Sequence, residues 1–278
     1  MSVFQAIILG VLQGIAEFLP ISSSGHLAVA QKLFGLSDVP LLFDVMLHLA
    51  TLAAVILYFR KKIARLFVIL FRWILRKPAE QNDATDLLAG NDELGRKTIL
   101  AVIFATVVTG AMGIITSKMI PEMPIKVTCA GFLFTACLLI FSSLWAKKHD
   151  RPLEAKGISI RQSLFIGFMQ GIGTLPGVSR SGSTIAGAQL AGVNRAAAGE
   201  FSFIVSIPAI LGAFVREAKD LGEVGSQIGV LPVFCGCLAS FAWGYLSLSI
   251  LMKLIRKGKL EWFACYLIPL GILGLIFF

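Results

Sequence analysis

Two stretches of this chain decide its architecture: residues 10–26, GVLQGIAEFLPISSSGH, and residues 167–183, GFMQGIGTLPGVSRSGS. They align without a gap and share seven identities, among them a Gln-Gly-Ile triplet, which indicates an internal repeat. Each stretch lies in a longer apolar region, 4–36 or 163–193, that Gly, Pro and Ser interrupt in the middle. Those interruptions predict two half-helices joined by a loop in each region.

The whole chain has the composition of an integral membrane protein. Of its 278 residues, 56% are hydrophobic and 15% are charged, with a mean hydropathy of +0.83, whereas a soluble domain has about a quarter of its residues charged. A membrane-spanning helix needs about 20 predominantly apolar residues. Segments of this kind predict six spans, at 41–59, 98–118, 125–146, 199–216, 227–252 and 261–278.

The positive charge follows the predicted topology. The net charge is +9, but the 25 Lys and Arg lie almost entirely in short segments that flank the apolar runs. Loops rich in Lys and Arg stay on the cytoplasmic side of a membrane, so this pattern indicates topology and argues against a nucleic-acid partner. Residues 63–75 predict an amphipathic helix at the membrane surface. The number of Lys and Arg is nine in the cytoplasmic loop 60–97, five in 147–161, four in 253–259, and two in each of 117–126 and 216–226.

The repeat and the charge pattern together predict an all-α integral membrane protein with an inverted-topology repeat. The halves, 1–146 and 147–278, form one membrane domain, and each contains a re-entrant hairpin followed by three transmembrane helices. Because three spans is an odd number, the second half is inserted upside down relative to the first. The hairpin tips then meet near the midplane of the membrane, where many transporters bind their substrates. Irregular backbone is tolerated at that depth only where it lines a cavity or is buried in protein, so we expect the polar residues of 17–26 to face an internal pocket.

The two tips carry different chemistry. The first has Glu17, Ser23 and His26, and the second has Arg180 among serines. An arginine in a buried site is well suited to bind phosphate, and Ser/Gly loops that lead into helix N-termini add backbone N–H donors for an anion. A carboxylate and an imidazole supply acid–base or metal-binding capacity. The combination predicts phosphoryl chemistry at membrane depth.

Purely structural roles for these residues remain as alternatives. In one alternative, Glu17 and His26 are a structural pair that holds the tips together. In another, Arg180 is the counter-ion of Glu17 and the site binds no ligand. Helix capping explains each serine about as well as catalysis does. Asp44 and His48 lie one turn apart on the first full span, where we expect structural hydrogen bonds in the same cavity.

The tip sequences QGIAEFLPISSSGH (13–26) and PGVSRSGSTIAG (176–187), followed by GEFSF (199–203), resemble the bacterial undecaprenyl-diphosphatase family, which is also called the bacitracin-resistance protein family. The resemblance covers essentially the whole chain, and two long matching motifs are more specific than one short pattern. The family's first motif is Glu or Gln, three residues and then Glu, which Gln13 and Glu17 match here. Its second motif, Pro-Gly-x-Ser-Arg-Ser-x-x-Thr, is matched in full by Pro176, Gly177, Ser179, Arg180, Ser181 and Thr184.

The resemblance implies that the chain removes the terminal phosphate from undecaprenyl diphosphate and so regenerates the lipid carrier for peptidoglycan precursors. It implies an enzyme of the bacterial inner membrane whose site opens toward the outer face and depends on a divalent cation, Mg²⁺ or Ca²⁺. The positions regarded as central in the family are Glu17, Ser23, His26 and Arg180, and Glu17 is the candidate metal ligand. Some members have a glutamate where this chain has Gln13, which puts a two-carboxylate metal site in doubt. We expect substrate-binding roles for Ser22, Ser24, Gly25, Ser179, Ser181, Gly182 and Thr184, and supporting contacts from Gln13, Asp44 and His48.

From these residue types we expect Ser23 to be the nucleophile, with His26 as its base or as the acid for the leaving lipid phosphate. Glu17 then orients His26 or coordinates a cation that bridges the phosphates. Arg180 and the N–H groups around 179–182 bind the diphosphate. The alternatives are His26 as the nucleophile and direct attack by water. The apolar half-helices accept the prenyl tail of the polyprenyl diphosphate within the bilayer.

The competing hypothesis is a transporter or flippase of an anionic polyprenyl phosphate lipid, because an inverted repeat with half-helices at the midplane suits alternating access. A transport site needs donors for phosphate but has less use for a carboxylate beside them. Glu17, Ser23 and His26 therefore favour the enzyme. The sequence leaves open the oligomeric state, a homodimer included, and the preference among prenyl chain lengths.

Overall fold

The computed structural model describes residues 1–36, 39, 41–78, 86–119, 123–149, 157–217 and 228–278, except for the side chains of 117–119 and 216–217. Parts of the predicted loops at 60–97, 117–126 and 147–161, and most of the loop at 216–226, lie outside the described residues. All regular secondary structure in the described residues is helical. The helices are α1 (Val3–Phe18), α2 (Ser23–Leu33), α3 (Leu41–Tyr58), α4 (Arg60–Ile74), α5 (Asp92–Met119), α6 (Ile125–Lys148), α7 (Ile160–Ile172), α8 (Arg180–Leu190), α9 (Arg195–Glu217), α10 (Val230–Arg256) and α11 (Ala264–Phe277), and a short 3-10 turn (Leu260–Phe263) precedes α11.

The six predicted spans are confirmed. Six helical segments of the described chain are long and apolar enough to cross a membrane. They are α3, α6 and α10 over their full lengths, most of α5 and α9, and the 3-10 turn together with α11. The structure therefore confirms an all-helical membrane protein, whereas the orientation of the spans across the bilayer stays a prediction.

Helix α4 corresponds to the predicted amphipathic segment 63–75. On one side, Ile69 is buried against Gly95 of α5. On the other side, Phe67 and Phe71 are more than half exposed. The amphipathic helix is confirmed, and its place at the membrane surface stays a prediction.

Both predicted broken regions are helix–loop–helix hairpins in the structure. The loop at 19–22 separates α1 from α2 and contains Pro20, which lacks a backbone donor and cannot continue the helix. The loop at 173–179 separates α7 from α8. Ser22 caps α2 and Ser179 caps α8, each by accepting a hydrogen bond from a backbone N–H three residues later.

The repeat extends to the first turn of each hairpin, beyond the stretches that reveal it in the sequence. Ser2 caps α1 and Ser159 caps α7. Each serine forms a reciprocal pair of hydrogen bonds with the glutamine three residues later, Gln5 or Gln162. The two hairpins therefore begin with the same local structure.

Each hairpin packs against the half of the chain to which it does not belong. Helix α1 lies along α10, and α7 lies along α5. The repeated glycines are points of close approach: a methyl group at Gly10 would overlap the carbonyl of Gly236, and one at Gly167 would lie 2.6 Å from the carbonyl oxygen of Ala105. Since α5 and α10 are the second spans of their halves, the exchange is reciprocal. Two repeats related by a two-fold axis are expected to pack in this way, although the inverted insertion and the division at residue 146 stay predictions.

A buried apolar cluster joins the two hairpins beside their tips. Phe18 of α1 and Ile185 of α8 lie in this cluster together with Phe203 of α9 and Leu248 of α10. The rings of Phe18 and Phe203 meet edge to face, with 5.6 Å between their centroids. This packing fixes the end of α1 relative to α8, and it positions the polar groups that both helices carry.

Candidate active site

The tips of the two hairpins are in contact. Arg180, the first residue of α8, donates a hydrogen bond to Oε1 of Glu17 in the last turn of α1. The loop of the first hairpin also packs on α8, since a Cβ atom at Gly182 would lie 3.1 Å from Cβ of Pro20. The tips therefore meet, as the repeat suggests, and their depth in the membrane stays a prediction.

Glu17 is the centre of the polar contacts between the tips. Its buried Oε2 accepts hydrogen bonds from Oγ of Ser23 at 2.6 Å and from Nε2 of Gln13 at 3.0 Å. The same oxygen lies 3.4 Å from Nε2 of His48, and Oε1 accepts from Arg180. A buried carboxylate is stable only when such partners replace water. The structure thus contains the Glu17–Arg180 ion pair on which the structural alternative depends.

His48 joins the site from α3, whereas the Asp44 carboxylate bonds to α2. Nδ1 of His48 lies 2.7 Å from the backbone carbonyl oxygen of Asp44. A carbonyl only accepts, so Nδ1 carries a hydrogen. The Asp44 carboxylate accepts a hydrogen bond from Gln31 at 2.8 Å. These are structural hydrogen bonds of the kind expected for the pair, and the His48–Glu17 contact adds a further group beside the carboxylate.

The ring of His26 is held by partners other than Ser23 and Glu17. Its Nδ1 lies 2.8 Å from the carbonyl oxygen of Ser22, and its Nε2 lies 2.8 Å from the hydroxyl of Tyr266 on α11. Ser23 instead donates to Glu17. The expected pairing of His26 with Ser23 or with Glu17 is therefore corrected, because both ring nitrogens of His26 are already engaged elsewhere.

Sequence reasoning missed Tyr266. This residue comes 240 positions after His26, in a helix that reads as a simple apolar span. One signal was present, a side chain with a hydroxyl group within the apolar run CYLIPLGILGLIFF (265–278). A tyrosine hydroxyl within an apolar span is stabilised by a hydrogen-bond partner, but the sequence does not say which partner.

Arg180 has a donor that the protein does not use. Its Nη2 bonds to Glu17, whereas its Nη1 is buried and has no hydrogen-bond partner among the described residues. Oγ of Ser183, three residues further along α8, is also buried and unpartnered within that part of the chain. Buried donors nearly always have a partner in native proteins. An unpaired guanidinium nitrogen therefore indicates a position suited to an acceptor such as a phosphate oxygen.

The serines and glycines of the tips have local roles in the structure. Ser22 and Ser179 cap their helices, and the Oγ atoms of Ser179 and Ser181 lie 3.2 Å apart. The hydroxyl of Thr184 donates at 2.7 Å to a carbonyl one turn earlier in α8. Capping thus describes the contacts of Ser22 and Ser179. Substrate binding by Ser22, Ser24, Gly25, Ser179, Ser181, Gly182 and Thr184 stays a prediction.

The N-terminus of the second helix of each hairpin contacts the carboxylate of Glu17. Ser23 and Arg180 are the first residues of α2 and α8, each 11 residues long, and both donate to Glu17. The N-terminus of an α-helix has unpaired N–H groups and a partial positive charge, so it favours an anion. Together with Arg180, the two helix ends make the junction of the tips electropositive, and Glu17 is the protein's own anion there.

A divalent cation finds few ligands at this junction. No group of three His, Cys, Asp or Glu side chains in the described residues is placed to hold a metal ion. The Glu17 carboxylate already accepts hydrogen bonds from Arg180, Ser23 and Gln13, and Nε2 of His48 lies 3.4 Å from it. Oε1 of Gln13 is unpartnered among the same residues, but it is neutral. These residues do not fit a cation held by protein ligands alone, and the divalent cation stays a prediction.

Charged residues of α4, of the loop before α5 and of α9 form a separate network. Lys62 lies 2.9 Å from Asp86 and also pairs with Glu200 of α9. Burial raises the pKa of Asp86, but the hydrogen bonds from Lys62 and from two backbone N–H groups outweigh burial and lower that pKa. A cavity of about 790 Å³ is lined in part by Leu87 and Lys97, and it includes none of the predicted site residues. This end of the molecule is distinct from the hairpin tips.

Fold and site together define a class of protein, a helical membrane protein with a buried arginine–carboxylate–serine site where two broken hairpins meet. The chain belongs to the bacitracin resistance protein BacA family, whose family model matches residues 6–273. The family resemblance of the two tip motifs is therefore confirmed.

Three curated relatives carry the name undecaprenyl-diphosphatase. The chain is 47% identical to the protein of Treponema denticola over 98% of this chain and 96% of the relative. It is 36% identical to that of Carboxydothermus hydrogenoformans over 99% and 97%, and 35% identical to that of Methanobrevibacter smithii over 98% and 96%. The similarity thus extends along nearly the full length of each relative.

Proposed function

We propose that this protein is an undecaprenyl-diphosphatase, which hydrolyses undecaprenyl diphosphate to undecaprenyl phosphate and inorganic phosphate. The match to the BacA family covers nearly the whole chain, and relatives at 35 to 47% identity carry that name. The reaction recycles the lipid carrier of cell-wall peptidoglycan synthesis and fits a family described by bacitracin resistance. The geometric observation that carries the proposal is the unpartnered Nη1 of Arg180 beside the Ser23–Glu17 hydrogen bond.

The diphosphate binds at the junction of the hairpin tips. Arg180 supplies a planar set of donors, and the first turns of α2 and α8 supply backbone N–H groups. Phosphate oxygens compete with Glu17 for Arg180, so substrate binding draws the guanidinium away from the carboxylate. Glu17 then remains beside Ser23 with one positive partner fewer, and it is free to accept a proton.

Ser23 is the nucleophile, and Glu17 replaces His26 as its proton acceptor. The Ser23 hydroxyl donates to Oε2 of Glu17 over 2.6 Å. Proton transfer to Glu17 accompanies attack of Oγ on the terminal phosphorus, and the bond from phosphorus to the bridging oxygen breaks. Its electron pair leaves with undecaprenyl phosphate. Water then cleaves the phosphoserine to Ser23 and inorganic phosphate, and Glu17 releases its proton to solvent.

His26 as the nucleophile and direct attack by water are the alternative mechanisms. Rapid quenching of a reaction mixture, followed by mass spectrometry of the digested protein, distinguishes the three. Phosphate on Ser23 supports the mechanism above, and phosphate on His26 would transfer the nucleophilic role to the imidazole. A reaction with full turnover and no covalent species favours water.

The enzyme lies in the bacterial inner membrane, with its basic loops on the cytoplasmic side and its site opening toward the outer face. The distribution of Lys and Arg supports the orientation of the spans, and the outward opening of the site follows from the family resemblance. The prenyl tail stays in the bilayer beside the apolar half-helices. A homodimer and a requirement for Mg²⁺ or Ca²⁺ are further predictions, which light scattering in detergent and phosphate release after chelation test separately.

Phosphate release from a long-chain polyprenyl diphosphate by the purified protein in detergent tests the function. We expect release by the wild type and a loss of about 100-fold or more in Ser23→Ala and Glu17→Gln, because both contribute to the transferring step. Ser163→Ala, at a buried serine of α7 outside the tips, is the matched control. Absence of release with any divalent cation, combined with diphosphate binding that depends on Arg180, would contradict the enzyme and favour a transporter or flippase.

A further inference from the structure

The hydrogen bond between Tyr266 and His26 has no part in the steps proposed above. The 2.8 Å contact between Nδ1 of His26 and the carbonyl of Ser22 places a hydrogen on Nδ1, because a carbonyl oxygen cannot donate. In the neutral ring Nε2 then has a free lone pair. The hydroxyl of Tyr266, 2.8 Å away, donates to it. The Ser22 carbonyl therefore selects the tautomer of His26, and Tyr266 adds a hydrogen bond that holds the opposite side of the ring.

The imidazole of His26 is also held on its faces. The ring of Phe132 lies 5.2 Å away between centroids, and the ring of Tyr266 lies 5.7 Å away with only 18° between the planes. Two hydrogen bonds and two aromatic neighbours leave the ring little freedom to rotate. This environment holds His26 in one orientation.

The hydrogen-bonded chain ends on a residue with an unusual backbone. Ser22 has a φ of +70°, in the left-handed region that residues other than glycine rarely adopt. Its carbonyl oxygen accepts two hydrogen bonds from His26, one from the backbone N–H at 3.2 Å and one from Nδ1 at 2.8 Å. Ser22 directly precedes Ser23, so its conformation sets the direction from which Ser23 reaches Glu17.

We propose that Tyr266 is a positioning residue of the active site, which acts through His26 to hold the Ser22–Ser23 loop in its reactive conformation. The inference rests on the proposed function. It assigns α11 a role in the chemistry, although the sequence of that helix reads as a plain membrane span. Because Tyr266 fixes the orientation of the nucleophile, its loss lowers kcat and leaves the KM for the diphosphate nearly unchanged.

Tyr266→Phe removes the hydroxyl and keeps the ring, and Tyr245→Phe on α10 is the matched control. We expect Tyr266→Phe to lower kcat about 10-fold, the size of effect of one lost hydrogen bond, with KM changed by less than about twofold. His26→Asn keeps a donor for the Ser22 carbonyl but lacks Nε2, so adding Tyr266→Phe to it should have no further effect. A wild-type kcat in Tyr266→Phe, or the same 10-fold loss in the His26→Asn background, would overturn the proposal.

Ring-nitrogen NMR of the full-length protein labelled with ¹⁵N-histidine gives a readout that does not depend on activity. The signal of His26 is the one that disappears in His26→Asn. We expect the Nδ1–H tautomer in the wild type, Tyr245→Phe and Tyr266→Phe, because the Ser22 carbonyl accepts from Nδ1 in each, and a shifted Nε2 signal in Tyr266→Phe, where that nitrogen loses its hydrogen bond. If the protein releases no phosphate but shows this shift, the proposed function is contradicted and the contact between Tyr266 and His26 is still supported. An unchanged His26 signal in Tyr266→Phe would overturn the role of the hydroxyl.

Discussion

In the first hairpin Gln13 donates its hydrogen bond to Glu17, whereas in the second hairpin the equivalent Gln170 donates to Thr109 of α5. Thr174 stands where the first hairpin has Glu17, and its hydroxyl donates at 2.7 Å to a backbone carbonyl one turn earlier. The same glutamine thus serves a carboxylate in one hairpin and helix packing in the other. Several positions that are identical in the repeat cap helices or allow helices to approach closely, whereas Glu17, Ser23 and Arg180 stand at positions where the two hairpins differ.

The difference also explains why both tips are needed. The first tip contributes the carboxylate and the serine that donates to it, and the second contributes the guanidinium with a donor left over. Neither tip has both signs of charge. The site is therefore a property of the junction, and changes on either side of the junction test it.

The largest expected effect comes from removing the cation of the second hairpin. Arg180→Gln leaves Glu17 buried without its charged partner, which costs about 3–5 kcal/mol of unfolding free energy. It also removes a phosphate donor, which lowers kcat/KM about 1000-fold. Glu17→Gln combined with Arg180→Gln should regain most of the stability and none of the activity. Thermal unfolding in detergent and phosphate release measure the two effects, and an active double variant would refute the assigned roles.

A smaller effect tests whether the shared positions are equivalent. Methyl groups in Gly10→Ala and Gly167→Ala both meet the backbone of a facing helix, so we expect each to lower the unfolding free energy by about 1–3 kcal/mol. Gly110→Ala on α5 has open space around the new methyl group and should not destabilise the protein. Unfolding in detergent measures all three. A loss of unfolding free energy in only one of Gly10→Ala and Gly167→Ala would contradict the equivalence of the two positions.

The helix caps compare the two hairpins through a smaller change in the unfolding free energy. Ser2→Ala and Ser159→Ala each remove one member of a reciprocal capping pair. We expect a loss of about 1 kcal/mol in either variant, because a backbone N–H at the start of the helix loses its acceptor. Equal shifts in the unfolding temperature support matching first turns, and clearly unequal shifts argue that the hairpins differ from their first residues onward.

The smallest effect lies in the loop 60–97, which is much longer than the loop 216–226 at the corresponding place in the second half. Burial raises the pKa of Asp86, but bonds from Lys62 and two backbone N–H groups hold it below its ordinary 3.8. A carboxyl group whose pKa is lower in the folded chain stabilises the fold above the unfolded pKa, and this contribution is lost as the pH falls through the folded pKa. We expect the wild type to lose less than about 1 kcal/mol relative to Asp86→Asn below about pH 4. Parallel unfolding curves against pH for the two proteins would show that the contribution is absent.

The sequence predicted the spans and both broken hairpins because apolar length and the interruption by Gly, Pro and Ser are local features. It also brought Glu17 and Arg180 together, since matching positions of a repeat are expected to occupy matching places. The capping pairs at Ser2 and Ser159 escaped notice, although their spacing equals that of the stretches that reveal the repeat.

The partners of individual side chains could not be predicted in the same way. Ser23 and His26 are three residues apart, yet Ser23 bonds to Glu17 and His26 bonds to Tyr266. Which way a side chain turns at a helix start depends on the loop before it and on whatever helix packs beside it. For His26 that helix lies 240 residues away in sequence, beyond the reach of any local pattern.

Because α1 packs along α10, the first hairpin cannot reach its final position until α10 has been synthesised. Gly10 leaves the ribosome early, but Gly236, against which it packs, is made only after more than 200 further residues. At about 5–20 residues per second, the first hairpin waits roughly 10 to 45 seconds for its partner. Arg180 follows Glu17 by 163 residues, so for most of that interval Glu17 lacks its charged partner, and an unpaired carboxylate is costly in the bilayer. The first hairpin to be synthesised is therefore the last to settle, and the active site closes only when the chain is nearly finished.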